Sequence, residues 1–160
     1  NEIRKENPET TMETLIPDFK GRLKDIQPII DVAPEVVSHN METVRRLTKK
    51  VRIQAKYDRS LDVLRYLNEG RIKTKSGIML GLGETEDEVV ETMHDLLEVG
   101  VSIMTIGQYL QPSKKHLPVV KFITPEQFDK YRKLGLSLGF QHVESSPLVR
   151  SSYHAEKHIH

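Results

Sequence analysis

Apolar residues gather in five short runs, at 11–16, 36–39, 77–82, 102–110 and 142–145. Charged segments with helical spacing separate them. The runs start about 25 to 40 residues apart, which suits strand–helix units rather than hairpins. The helix signals are mechanical. Thr85, Glu86, Asp87 and Glu88 form a capping box, followed by Val89, Val90, Met93, Leu96 and Leu97 on one face and Gly100 at the end. Thr124 and Pro125 open another helix, with Phe128, Tyr131, Leu134 and Leu138 on its inner face and Gly139 closing it. Leu61, Leu64 and Leu67 mark a third, ended by Gly70. Leu23, Ile26, Ile29 and Ile30 predict a fourth, bent at Pro28, and Val44 and Leu47 a short fifth over 41–49. Residues 1–7 read as the last turns of a helix stopped before Pro8. They lack an initiator Met and a secretory apolar core, so the chain is expected to begin inside a longer protein.

This alternation makes the chain α/β, with parallel βα units. An open doubly wound sheet and part of a barrel both satisfy it. Asp18, His39, Asn40, Gly81, Glu84, Gln108, Gln111 and Ser145 all follow the ends of apolar runs. A βα barrel gathers such residues on one reactive face, whereas an open sheet binds only at the crevice where strand order reverses. Five strands cannot close a standard barrel, so a barrel would be partial and incomplete at its N-terminal side. Residues 1–145 are assigned to this unit and 146–160 to a C-terminal tail.

Composition narrows the function classes. Lys and Arg number 24 against 23 Asp and Glu, for a net charge of +1, which argues against a general nucleic-acid or membrane-surface binder. The longest uncharged stretch, 99–113, holds two Gly, two Gln and a Pro, and is too short and too polar to span a bilayer. No cysteine occurs, which excludes a disulfide scaffold, a zinc–thiolate site and a cysteine nucleophile within these residues.

Four segments could carry chemistry. The first, from Ser76 to Thr85, is a strand, a glycine-rich turn and a capped helix. Its glycines let backbone approach a ligand, but Glu86 occupies the third glycine position of a dinucleotide fingerprint. Glu84 suits a ribose hydroxyl or an amine better than a phosphate; the plainer alternative is a tight turn with an acidic first helical turn. The second segment, Ser38 to Thr43, puts an imidazole, an amide and a carboxylate at a strand end. Alternatively Asn40 is only an N-cap and His39 a satisfied partner. The third, Gly107 to His116, would in a functional version place Gln108 inside the barrel mouth and the basic loop against an acidic partner; otherwise it is a solvated surface loop. The fourth is the tail from Pro147 to Ala155, dense in polar groups but without a base-and-orienter pair for a serine hydrolase. His158 and His160 are read as tail residues.

Read together, five segments stand in register with one family. They are Thr14-Leu15-Ile16-Pro17-Asp18-Phe19, His39-Asn40-Met41-Glu42-Thr43, the run from Lys75 to Glu84, Gly107-Gln108-Tyr109-Leu110-Gln111-Pro112, and Arg150-Ser151-Ser152-Tyr153-His154-Ala155. In this order they resemble the C-terminal part of the lipoyl synthases, which are radical S-adenosylmethionine enzymes, over essentially the whole chain. The resemblance implies a partial βα barrel of the radical S-adenosylmethionine type and two 4Fe-4S clusters. One cluster cleaves S-adenosylmethionine (SAM) to a 5′-deoxyadenosyl radical, and the other is consumed as sulfur donor. It also implies an octanoylated lipoyl carrier domain as substrate, an electron donor protein, no nucleic acid or membrane partner, and a cytoplasmic setting, mitochondrial in a eukaryote. Sulfur enters at two saturated carbons, a step that a cofactor must carry because an unactivated C–H bond offers no acid–base handle.

Carried over residue by residue, the resemblance places Gly77, Gly81 and Glu84 by SAM, and Asn40 and Glu42 near SAM or the substrate arm. Gln108 and Gln111 fall to the substrate, Arg59 matches a family position, and Ser152, chosen over Ser151, gives an oxygen to an iron of the auxiliary cluster. The family's cysteine motifs are absent from this chain, which by itself is therefore expected to be inactive. Two other readings compete: a metal-independent barrel lyase or aldolase using Lys75, and a non-enzymatic βα scaffold that binds a carrier domain.

Overall fold

Five parallel strands form one sheet in the computed structural model, which describes residues 2–152. They are β1 (Glu13–Leu15), β2 (Val36–Ser38), β3 (Lys73–Leu80), β4 (Ile103–Gln108) and β5 (His142–Ser145). The helices are α1 (Glu2–Glu6), α2 (Gln27–Val32), α3 (Arg45–Val51), α4 (Tyr57–Glu69), α5 (Glu86–Glu98) and α6 (Pro125–Leu138). Spatial order follows chain order from β1 to β5. Among the described residues strand order never reverses, so they hold no doubly wound switch point. The sheet is a segment of a βα barrel.

Side-chain alternation along each strand sorts the residues into two faces. Outward-facing Ile78, Leu80, Met104, Ile106 and Val143 pack with Leu64, Val89, Met93, Leu96, Phe128 and Tyr131 of α4, α5 and α6. A smaller core joins Ile16, Val37, Ile26, Val63, Leu67 and Ile72. The concave face is polar. Lys75, only 1% exposed, sets Nζ at 2.9 and 3.1 Å from the two Glu13 carboxylate oxygens. Ser38 Oγ donates to Glu13 Oε1 at 2.7 Å.

The elements differ from the sequence expectation in three places. The third strand begins at Lys73, not at Gly77, because Glu13 and the barrel interior accommodate the polar Lys75. Pro28 does not bend a long helix: a 3-10 turn over Leu23–Asp25 comes first, and Pro28 sits in the first turn of α2, where its missing N–H breaks no hydrogen bond. The short fifth helix begins only at Arg45, after a bulge, and its N-cap is Val44 rather than Asn40. No helix among the described residues is long and apolar enough to cross a membrane.

Candidate functional site

A bulge at the end of β2 creates the site. Ser38 pairs with Lys75, yet Glu42 bridges Ile78, so four steps on one side match three on the other. The extra residue re-aims the strand. Met41 turns into the core at 1% exposure, while Asn40 and Glu42 on either side of it face a cavity of about 400 Å³. Two ladder bonds hold Glu42, from its N–H to Gly77 O and from Met79 N–H to its carbonyl, both at 2.9 Å. Its φ of 65° lies in the left-handed region, uncommon for a residue with a side chain and a frequent mark of functional positions.

The opposite wall comes from β3, β4 and the tail. Gly77 lies in strand conformation against Thr105; a Cβ there would strike Thr105 Oγ1 and stand 3.3 Å from Asn40 Oδ1. Gly77 therefore keeps the floor of the cavity clear. Gly107 does the same for the tail, since a Cβ would sit 2.6 Å from Val149 O. That close crossing brings Arg150 and Ser151 to the cavity wall. Ser152 is exposed and lies next to it along the chain. Tyr153, His154, His158 and His160 lie outside the described residues.

Asn40 is held from behind by a hydrogen-bond chain. His39, buried to 1%, has Nδ1 at 3.0 Å from Ile16 O and Nε2 at 2.9 Å from Ser60 Oγ. A carbonyl only accepts, so Nδ1 carries the proton and Nε2 accepts from the Ser60 hydroxyl. Ser60 Oγ in turn accepts from Arg52 at 3.2 Å, and the same Arg52 nitrogen donates to Asn40 O at 3.0 Å. Burial first, then the Arg52 charge, pushes His39 below the ordinary imidazole range, against the Ile16 carbonyl and Asp18. The plainer reading of His39, as a satisfied partner, holds, while Asn40 is not a helix cap.

The remaining sequence candidates are placed differently. Glu84 does not reach the cavity: its carboxylate accepts from Gly81 N–H at 2.6 Å and Leu82 N–H at 2.9 Å, closing its own turn. Gly81, at φ 103°, leaves room for the Gln108 amide and the Lys121 carbonyl. Gln108 borders the cavity, but its side chain points away from the barrel mouth. Nε2 lies 3.1, 3.0 and 3.2 Å from the carbonyls of Leu80, Tyr109 and Lys121, and Oε1 accepts from Ile123 N–H at 2.9 Å. Strand alternation explains this, because Ile106 and Gln108 share the outward face while Gly107 faces in. Gln111 is exposed and donates to His116 O at 2.8 Å. Lys75 lies mid-strand in its ion pair with Glu13, not at a strand end as an aldolase lysine would. Arg59 bonds Asp18 at 3.1 Å, tying α4 to the turn after β1. Thr105 and Arg52 are not among the candidates of the sequence, and Gly107 stands there only as the start of the third segment; the inward alternation of Thr105 and Gly107 is the one signal that points to these two.

A strand-end cavity on a singly wound βα sheet is the architecture of a barrel enzyme. The chain belongs to the Radical SAM superfamily, whose family model matches residues 1–96. It is similar to the lipoyl synthase of Christiangramia forsetii, at 72% identity over 158 residues, 98% of this chain and 54% of that protein. The mitochondrial lipoyl synthase of Nematostella vectensis is 70% identical over 159 residues, 99% of this chain and 55% of that protein. The lipoyl synthase of Parabacteroides distasonis is 60% identical over 157 residues, 98% of this chain and 56% of that protein. The chain spans about half the length of the curated relatives it matches.

Proposed function

We propose that the complete protein carrying this chain is a lipoyl synthase, inserting two sulfur atoms into an octanoyl chain held in amide linkage on a lysine of a carrier domain. The cavity of about 400 Å³ between the Asn40–Glu42 bulge and Gly77 carries this reading. An amide, a carboxylate and a threonine hydroxyl face a floor cleared by glycine, a set that fits the hydroxyl-rich, heteroaromatic body of SAM. When bound, that molecule supplies the one-electron chemistry that removes hydrogen from an unactivated carbon. This chain's residues do the rest: Glu42 and Asn40 accept from and orient hydroxyl and amine groups, Gly77 admits the ligand, and Arg150 with Ser151 closes the wall.

The clusters are a different case. The chain has no cysteine, and among the described residues no three His, Asp or Glu group as a metal site. These residues cannot hold an iron–sulfur cluster on their own, so thiolates from elsewhere in the complete protein must. The tail has no thiolate to add, and Ser152, beside the cavity-lining Ser151, is our candidate for an oxygen donor.

The test is product mass. The cluster-loaded complete protein, given SAM, a reductant and an octanoylated carrier, should replace one hydrogen by sulfur at each of two carbons. Recovery of unchanged octanoyl carrier would defeat the proposal. Ser152→Ala should lower iron content; normal iron content would move the assignment to Ser151 or remove it.

A further inference from the structure

A cavity of about 750 Å³ lies away from the Gly77 floor and is unexplained by it. Lys20, Arg22, Arg52 and Arg59 line it, with Asp18 as the one carboxylate of the lining; Arg22 pairs with Asp25 just outside it at 2.7 Å. Asp18 is already neutralised. Burial opposes its ionisation, but the Lys20 amide and the Arg59 guanidinium outweigh burial and hold it below the usual carboxylate range. Arg52 meets only the Asn40 and Met41 carbonyls and Ser60, and no carboxylate among the described residues. Between Thr43 and Tyr57 the sequence has no acidic residue. Lys49, Lys50 and Lys56 are exposed there, and beside them Ile53 is 88% exposed.

This basic mouth is continuous with the proposed active site. A second cavity of about 350 Å³ shares Pro17 and Arg52 with the mouth, and Leu15, Asn40 and Glu42 with the site cavity. The path thus runs from cations, over the apolar Leu15, Ile16 and Pro17, to the polar groups of the bulge. Cationic surface recruits acidic surface and speeds encounter, and the exposed Leu15 and Pro17 offer an aliphatic chain apolar contact along the way. We propose that the 20–22 and 49–56 surface docks an acidic face of the carrier domain around Ile53, and that the lysine-linked acyl arm runs over Leu15–Pro17 into the site.

The inference rests on the proposed lipoyl synthase function. Its test therefore separates the two. Binding of an octanoylated acidic carrier domain, and of a short neutral octanoyl-lysine peptide, is measured on the complete protein and on Lys49→Glu/Lys50→Glu and Ile53→Ser variants. The charge reversals should weaken the carrier about tenfold and flatten its salt dependence. Ile53→Ser should weaken it without changing the salt slope. The neutral peptide should bind all three proteins alike. Carrier affinity unchanged in both variants would overturn the docking surface while leaving the function intact. If the variants lose only an acidic electron-transfer protein, or only an oligonucleotide, and keep the carrier, the surface belongs to that partner and the proposal falls. Failure of the unmodified protein to bind either octanoyl probe would defeat the function itself.

Discussion

His39 takes part in a chain of donors that runs one way, from Arg52 through Ser60 and the imidazole to the Ile16 carbonyl. Protonation would make Nε2 a donor and require the Ser60 hydroxyl to turn its own proton elsewhere. Burial first, and then the Arg52 charge, hold the folded imidazole below its ordinary range. In the unfolded chain the group takes its proton near 6.5, so its stabilising contribution is complete above about pH 6.5 and declines as pH falls toward the folded value. Urea melts should show stability dropping through this window, and less so in His39→Gln; identical slopes would contradict the assignment. The sequence makes His39 legible as a strand-end imidazole, but its partners Ser60 and Arg52 lie 21 and 13 residues away, with no local pattern to announce them. Gln108 fails for the opposite reason. Its position after an apolar strand is legible, yet one step of alternation turns it to the helical side, where its amide pins the loop over 119–123.

At the scale of elements, local chemistry that closes on itself is what the sequence reveals. The Thr85 capping box is an example: Glu88 N–H donates to Thr85 Oγ1 at 3.3 Å, and Glu88 Oε2 accepts from Thr85 N–H at 2.8 Å. Arg46 adds a hydrogen bond at 2.6 Å, and Arg46 first and the Thr85 amide second pull the Glu88 pKa down to about 2. The carboxylate is stabilising above its unfolded pKa near 4.3, and the contribution is lost as pH falls toward the folded value. Glu88→Ala should cost about 1 kcal/mol at neutral pH, as lost caps do, and clearly less as pH falls to about 2; chemical melts at both pH values check it. Two features escape such reading. β3 begins in Lys73-Thr74-Lys75, a polar stretch whose strand character depends on Glu13, about 60 residues earlier. The β2 bulge depends on the β3 register, which no local signal encodes.

At the scale of the molecule, β1 pairs only with β2 among the described residues, which leaves its outer edge without a strand partner there, beside a Leu15 that is 59% exposed. Such edges recruit other strands. This chain by itself should show concentration-dependent association in sedimentation, reduced by Leu15→Lys; a monodisperse monomer at all concentrations would contradict that picture. The polar concave face, the cleared floor and the basic approach belong together only as parts of one barrel mouth. The proposed function requires SAM to bind in the cavity between Asn40, Glu42 and Gly77. Isothermal titration of SAM into the cluster-loaded complete protein tests it, comparing the unaltered chain with Asn40→Ala, Glu42→Gln and Gly77→Ala. Affinity should be at least about tenfold weaker in each, the loss expected when a hydrogen bond to a ligand goes or a cavity floor is filled, with unchanged cluster content. Unaltered affinity in all three variants would contradict it.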